Sequence, residues 1–359
     1  MANERRLPLP RYDCSQTYRW NYDHAPEPPR GVELPRASGS WTFCGRAVPS
    51  PLGIAAGPLL NGRWILYYAA LGFDVLTYKT TRSRQRDCYP LPNLQPVEAV
   101  DLELGNRELS AIAQMQGSWA VSFGMPSMEP GVWRADVEWT RARLPQEKLL
   151  SVSVVATAEA NWSLDELADD FARCARWAVE SGADCVETNF SCPNVSTCDG
   201  QLYQQPAAAA AVAQRVREAI GKTPYLIKIG FLRDEELAEQ LLDAVSPFAD
   251  ALSMTNCIAA TVRGDDGNKL FGGQARGIGG DAIRAASIDQ VRRFATLIGQ
   301  RGYGMKLIGV GGISAAEHVK QYLDAGAEAV HLATGIMIDP LVGGRIARGL
   351  ADQAFVGQR

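Results

Sequence analysis

The sequence predicts an α/β chain folded as a (β/α)8 TIM barrel, with an N-terminal extension and insertions after the second and sixth strands. Three observations carry this reading. Eight short apolar runs recur along the chain, and amphipathic helical stretches lie between them, the pattern of parallel βαβ units. The 359 residues, 46% of them hydrophobic, suffice for one large barrel with excursions. A doubly wound open sheet alternates strands and helices too, and it is the number of units that favours closure.

Residues 1–44 form the first segment, and the barrel is assigned to 45–359. The opening stretch is rich in proline and charge, with scattered aromatics at Tyr12, Tyr18, Trp20, Tyr22 and Trp41. It has neither period, so it is expected to wrap over a core in extended form. The eight runs follow at 52–57, 75–79, 149–155, 185–191, 225–230, 251–256, 306–312 and 329–335. Each is rich in Val, Ile, Leu or Thr and too short for a buried helix. The clearest helix starts at Ser163, whose hydroxyl and Glu166 make a capping box ahead of Leu164, Leu167, Phe171, Ala175 and Ala178. Further helices are expected over 207–220, 234–245, 288–300, 315–325 and 340–354. The intervals 80–148 and 257–287 are too long for simple connections. Insertions at the C-terminal ends of barrel strands build or cover active sites.

Composition narrows the partners. With 36 basic and 40 acidic side chains, there is no strong field for a nucleic-acid backbone or an anionic membrane, so a small-molecule substrate is expected. The eight cysteines, at 14, 44, 88, 174, 185, 192, 198 and 257, include no C-x-x-C pair, which disfavours zinc or an iron–sulfur centre. The first residues lead into Pro8 and Pro10 rather than an apolar run. No signal peptide or membrane span is expected there, and the protein reads as cytoplasmic with reduced thiols.

Barrel chemistry gathers at the C-terminal strand ends, and here those ends are polar and glycine-rich. They read Ala55-Ala56-Gly57, Lys79-Thr80, Asn189-Phe190-Ser191-Cys192-Pro193-Asn194, Lys228, Asn256-Cys257, Gly309-Val310-Gly311-Gly312 and Ala333-Thr334-Gly335. The last two place unobstructed backbone N–H groups where barrels bind phosphate. A glycine turn alone would need no ligand, since tight turns require glycine anyway. Lys79 and Lys228 would enter the barrel top, where an ammonium needs a carboxylate, an anion or an electron-rich ring opposite. Two such lysines beside a phosphate cradle suggest an anionic cofactor. Cys192 has a thiol of the right acidity for a base near neutral pH, roughly 8.5 when unperturbed. Asn189 and Asn194 flank it with donors and acceptors suited to a planar imide or amide. Most cysteines are inert core residues, and Cys14, Cys44, Cys88, Cys174 and Cys185 are read that way.

The segment Asn189-Phe190-Ser191-Cys192-Pro193-Asn194 resembles the N-[LVF]-S-[CS]-P-N motif of the dihydroorotate dehydrogenases, and the resemblance covers roughly residues 45–350. It implies an FMN on the barrel top. Ala55, Ala56 and Gly57 would line the flavin, with Thr80 and Asn189 beside it. Lys79 and Lys228 would approach its ring and ribityl region, and backbone from 277–280, Gly279 included, would add contacts. Gly311, Gly312, Ala333 and Thr334 would take the phosphate. Cys192 would remove a proton from substrate C5 as hydride passes from C6 to flavin N5. The cysteine at that place resembles the soluble class, whose members imply a homodimer.

The resemblance also implies a substrate clasp of four asparagines and a hydroxyl residue, with Lys79 among the contacts. Three asparagines match, at Asn189, Asn194 and Asn256. Where the family has Asn-Ser-x-Gly, this chain reads Val121-Ser122-Phe123-Gly124, and Cys257 replaces the hydroxyl residue. Losing one buried hydrogen-bond partner costs about 1–3 kcal/mol; either Ser122 shifts to cover for the missing carboxamide, or the substrate lacks orotate's carboxylate. Other readings stay open: redox at a C=C bond of another dihydropyrimidine or cyclic amide, a flavin-free phosphate-binding lyase or aldolase with Lys228 as Schiff-base amine, or a non-catalytic barrel subunit. The sequence does not identify the electron acceptor.

Overall fold

The computed structural model describes residues 9–29, 31, 37, 39–98, 101–102, 108–159, 161–191 and 198–352. Its centre is a closed barrel of eight parallel strands. These are β1 (Leu52–Ile54), β2 (Val75–Thr81), β3 (Leu149–Val154), β4 (Cys185–Asn189), β5 (Tyr225–Lys228), β6 (Ala251–Met254), β7 (Lys306–Val310) and β8 (Ala329–Leu332). Each predicted run holds one strand, the strands pair in chain order, and β8 closes on β1 with Val330 opposite Leu52. The (β/α)8 expectation is met.

Outside the barrel lie the helices. Leu164–Glu180 has the predicted capping box, with Ser163 and Glu166 satisfying each other's backbone N–H groups. Pro206–Ile220, Glu235–Val245, Arg284–Arg301, Ala316–Asp324 and Val342–Asp352 occupy the other predicted stretches. Gly62–Ala69 and Pro130–Arg141 were not foreseen. The first buries Trp64, Ile65, Tyr67 and Tyr68 on more than one face and so has no polar side to mark its period.

Below the barrel, the hairpin Trp41–Phe43 with Arg46–Val48 turns through Cys44 and Gly45, both at positive φ, the backbone of a tight two-residue turn. Trp41, Phe43 and Val48 pack onto the lowest inward layer of the strands, Val75, Leu149, Cys185, Leu226, Ala251, Ile308 and Ala329. The hairpin thus plugs the N-terminal end, and it spans residue 44, where the sequence reading divided the chain.

The N-terminal segment departs from the extended form expected of it. Tyr18–Asp23 is a helix, with the Thr17 hydroxyl accepting from the Trp20 N–H. Asn21 is buried and its carboxamide donates to the carbonyls of Asp13 and Thr17. Six residues held by such tertiary bonds carry no readable period.

The two long intervals join in one roof. Leu94–Pro96, Ser118–Val121, Arg276–Gly280, Ile258–Arg263 and Glu108–Ser110 form a five-stranded sheet in that spatial order. The antiparallel seam between the second and third of these, with Val121 opposite Gly277, stitches the insertion after β2 to the one after β6.

Candidate active site

Between roof and barrel lies a cavity, and the strand ends singled out in the sequence converge on it. Ala55, Ala56 and Gly57 line it from β1, Lys79 and Thr80 from β2, Asn189 from β4 and Lys228 from β5. Asn256 and Cys257 reach it after β6, Gly311 and Gly312 after β7, and Ala333 and Thr334 after β8. Gly279 faces it from the roof. Cys192 and Asn194 lie outside the described residues.

Ser122 does not join them. Its hydroxyl accepts from Arg276 Nε at 2.9 Å, and its backbone exchanges hydrogen bonds with Asn93. In a strand successive side chains alternate faces. Val121 takes the cavity side, so Ser122, the next residue, takes the other, where Arg276 meets it. The offsetting shift expected of Ser122 is opposed by these bonds.

The polar groups are individually held. Asn189 Oδ1 accepts from the Ser191 N–H at 3.1 Å, and Asn256 Nδ2 lies 3.5 Å from that oxygen while donating to the Ser191 carbonyl. The two carboxamides therefore sit side by side, both bonded to the backbone of Ser191. Lys228 Nζ donates to the Ala56 carbonyl at 3.3 Å. Lys79 Nζ lies 5.2 Å from the ring centroid of Phe123 and 5.7 Å from that of Tyr18, so the N-terminal helix contributes a wall to this lysine. The Thr80 and Ser153 hydroxyls are 3.0 Å apart.

At the other end, Gly312 has φ +63°, and a Cβ there would meet Arg284 Cβ at 2.7 Å and the Gly280 carbonyl at 2.9 Å. Only glycine lets this turn run beneath the roof. It leaves backbone N–H groups beside Thr334, the first residue of the short helix Thr334–Ile338.

These residues fit FMN. Gly311, Gly312, Ala333 and Thr334 line one end of the cavity without a charged side chain and would make a phosphate cradle. The two lysines supply positive charge near the centre, and a Cβ on Gly279 would project into the space toward Thr334 and Cys257. Among the described residues there is no cluster able to hold a metal ion.

Sequence reasoning missed the apolar side of the cavity: Leu94, Trp119, Phe123 and Met125, all from the insertion after β2. Trp119, Val121 and Phe123 alternate, a strand signal visible within that long interval. It also missed two fully buried ionisable groups of the barrel interior. His331 lines the cavity floor, and burial, then the charge of Lys228, push its imidazole down to about 3, so it is neutral. Glu187 lies two residues before Asn189 on β4. Burial pushes its carboxyl up, while Lys228 and the hydroxyls of Ser153 and Ser253 pull it back.

Comparison with known proteins agrees with the architecture. The family model for dihydroorotate dehydrogenase matches residues 40–353. A dihydroorotate dehydrogenase of Dictyostelium discoideum is 33% identical over 84% of this chain and 85% of its own length. A quinone-type dihydroorotate dehydrogenase of Thermobifida fusca is 30% identical over 86% of this chain and 77% of its own. The NAD(+)-type B catalytic subunit of Desulforudis audaxviator is 30% identical over 86% and 90%. The crystal structure of the Eimeria tenella enzyme in complex with ferulenol superposes with TM-score 0.73 over 94% of this chain and 90% of that one, at 19% identity, a likeness of fold. On the family match and these identities, the chain belongs to the dihydroorotate dehydrogenase family.

Proposed function

We propose that this protein oxidises dihydroorotate to orotate with FMN as the resident cofactor, a step of pyrimidine biosynthesis. The observation that carries the reading is the convergence of fourteen sequence-chosen residues on one roofed cavity at the C-terminal strand ends. FMN, when bound, supplies the hydride acceptor. Gly311, Gly312, Ala333 and Thr334 would hold its phosphate, and Lys79 and Lys228 would balance its charge. Asn189 and Asn256, with Asn194, orient the planar substrate through its amide groups. Cys192 takes the C5 proton as the C6 hydride departs, so one proton and one hydride leave together and the C5=C6 bond forms.

Residues 45–359 act as the FMN-binding unit in this reading, behind the extension 1–44. Relatives named for quinone and for NAD(+) support a small-molecule electron acceptor without choosing one. No helix among the described residues is long and apolar enough to cross a membrane. A cytoplasmic homodimer, free of nucleic acid and membrane, completes the reading.

The test is anaerobic. The purified yellow protein is mixed with dihydroorotate while the flavin absorbance is followed, and rapid bleaching that is lost in Cys192→Ser at neutral pH is expected. A protein bleached by dithionite but not by dihydroorotate would keep the flavin and refute the substrate.

A further inference from the structure

Two residues above the apolar layer that receives the hairpin plug, the barrel interior turns polar. Thr77, Ser151, Glu187, Lys228, Ser253 and His331 occupy this level on six strands, and all are buried. Val, Ile and Leu dominate such layers in barrels of this kind. Several of these side chains have polar atoms with no hydrogen-bond partner, including both ring nitrogens of His331, and the Glu187 carboxyl has only the Ser153 and Ser253 hydroxyls to favour its charge besides Lys228. A level built this way gives up packing energy, so another gain must explain it.

That gain lies in its charges. Lys228 roots in this level and rises to the cavity floor, where the partner of its Nζ is the neutral carbonyl of Ala56. Glu187 stands on the neighbouring strand opposite Leu226, two residues below Lys228 in the ladder. Burial is the largest influence on its carboxyl and raises it, and Lys228 is the charge that opposes burial and favours the carboxylate, with the Ser153 and Ser253 hydroxyls adding to it. A buried charge is tolerated when an opposite charge is near. We propose that Glu187 is a positioning residue that balances Lys228 from beneath and thereby sets how strongly that lysine favours reduced FMN over oxidised FMN. This rests on the FMN reading above. An ammonium beside a flavin stabilises the electron-rich reduced form, and a carboxylate on its far side offsets the effect.

The experiment is a spectroelectrochemical titration of the flavin midpoint potential at neutral pH in the holoprotein, with Glu187→Gln, Lys228→Met and the double variant beside the wild type. The expected result is a rise in Glu187→Gln corresponding to about a tenfold greater preference for reduced FMN. Lys228→Met should lower the potential, and adding Glu187→Gln to it should change nothing further. An unchanged potential in Glu187→Gln, or an equal shift with and without Lys228, overturns the proposal. If Glu187→Gln folds only when combined with Lys228→Met, that rescue supports the pairing, and a double variant that misfolds like the single one refutes it. A wild-type protein that takes up no FMN would sink the flavin reading and this inference together, whereas a yellow protein with an indifferent potential sinks this inference alone.

Discussion

His331 stacks on Phe43, ring centroids 5.5 Å apart and planes 15° from parallel. The contact joins the hairpin that plugs the barrel bottom to the side chain that lines the cavity floor. Gly53 on β1 makes room for it, since a Cβ there would meet the imidazole at 2.4 Å.

Gly53→Ala should therefore overpack the interior. A loss of about 1–3 kcal/mol is expected, read as a lowered denaturation midpoint. Gly53→Ala combined with His331→Ala should recover part of it. A single variant as stable as wild type would show that the imidazole moves freely.

Acid should find the same histidine. Its folded pKa, about 3, lies below the ordinary histidine value of 6.5, so the unfolded chain takes up the proton first. The stability from a neutral His331 is fully present above about 6.5 and is lost as pH falls from there toward 3, on the order of a few kcal/mol. His331→Gln should flatten the fall in thermal stability across that window. Parallel curves for variant and wild type would place the acid-sensitive group elsewhere.

Val121 lines the cavity, at the position where the family resemblance implies a carboxamide. Val121→Asn should lower KM for dihydroorotate by about tenfold, and Cys257→Ser should add a smaller gain, both in steady-state kinetics. A rise in KM in both would mean that the apolar wall itself holds the substrate.

Arg82 is fully buried and holds the roof to the barrel, donating to the carbonyls of Met125 and Ala156. Arg82→Met leaves those carbonyls unpaired and should cost about 3 kcal/mol. Because Met125 lines the cavity, FMN should also dissociate faster, which fluorescence of the released flavin would report.

The barrel was legible because each strand announces itself over four to eight apolar residues, and residues whose chemistry stands out lie near the end of β2, Lys79, and just after β7, Gly311-Gly312. The capping box at Ser163 is equally local, and the structure repeats it. What escaped depends on distant partners. Tyr18–Asp23 is helical because Asn21 finds the backbone of Asp13. Ser122 turns from the cavity because Arg276, 154 residues away, claims its hydroxyl. Glu187 and His331 sit within apolar runs, and only barrel closure brings them to one level with Lys228.

The seam between 118–121 and 276–280 makes the roof a shared possession of two distant stretches of chain. Neither insertion can be exchanged with a relative's without orphaning a ladder in the other. In this lineage, changes in what the cavity accepts are therefore expected to arrive as matched edits on both sides of the seam, and a chimaera built from one insertion alone should lose its cover before it gains a new substrate.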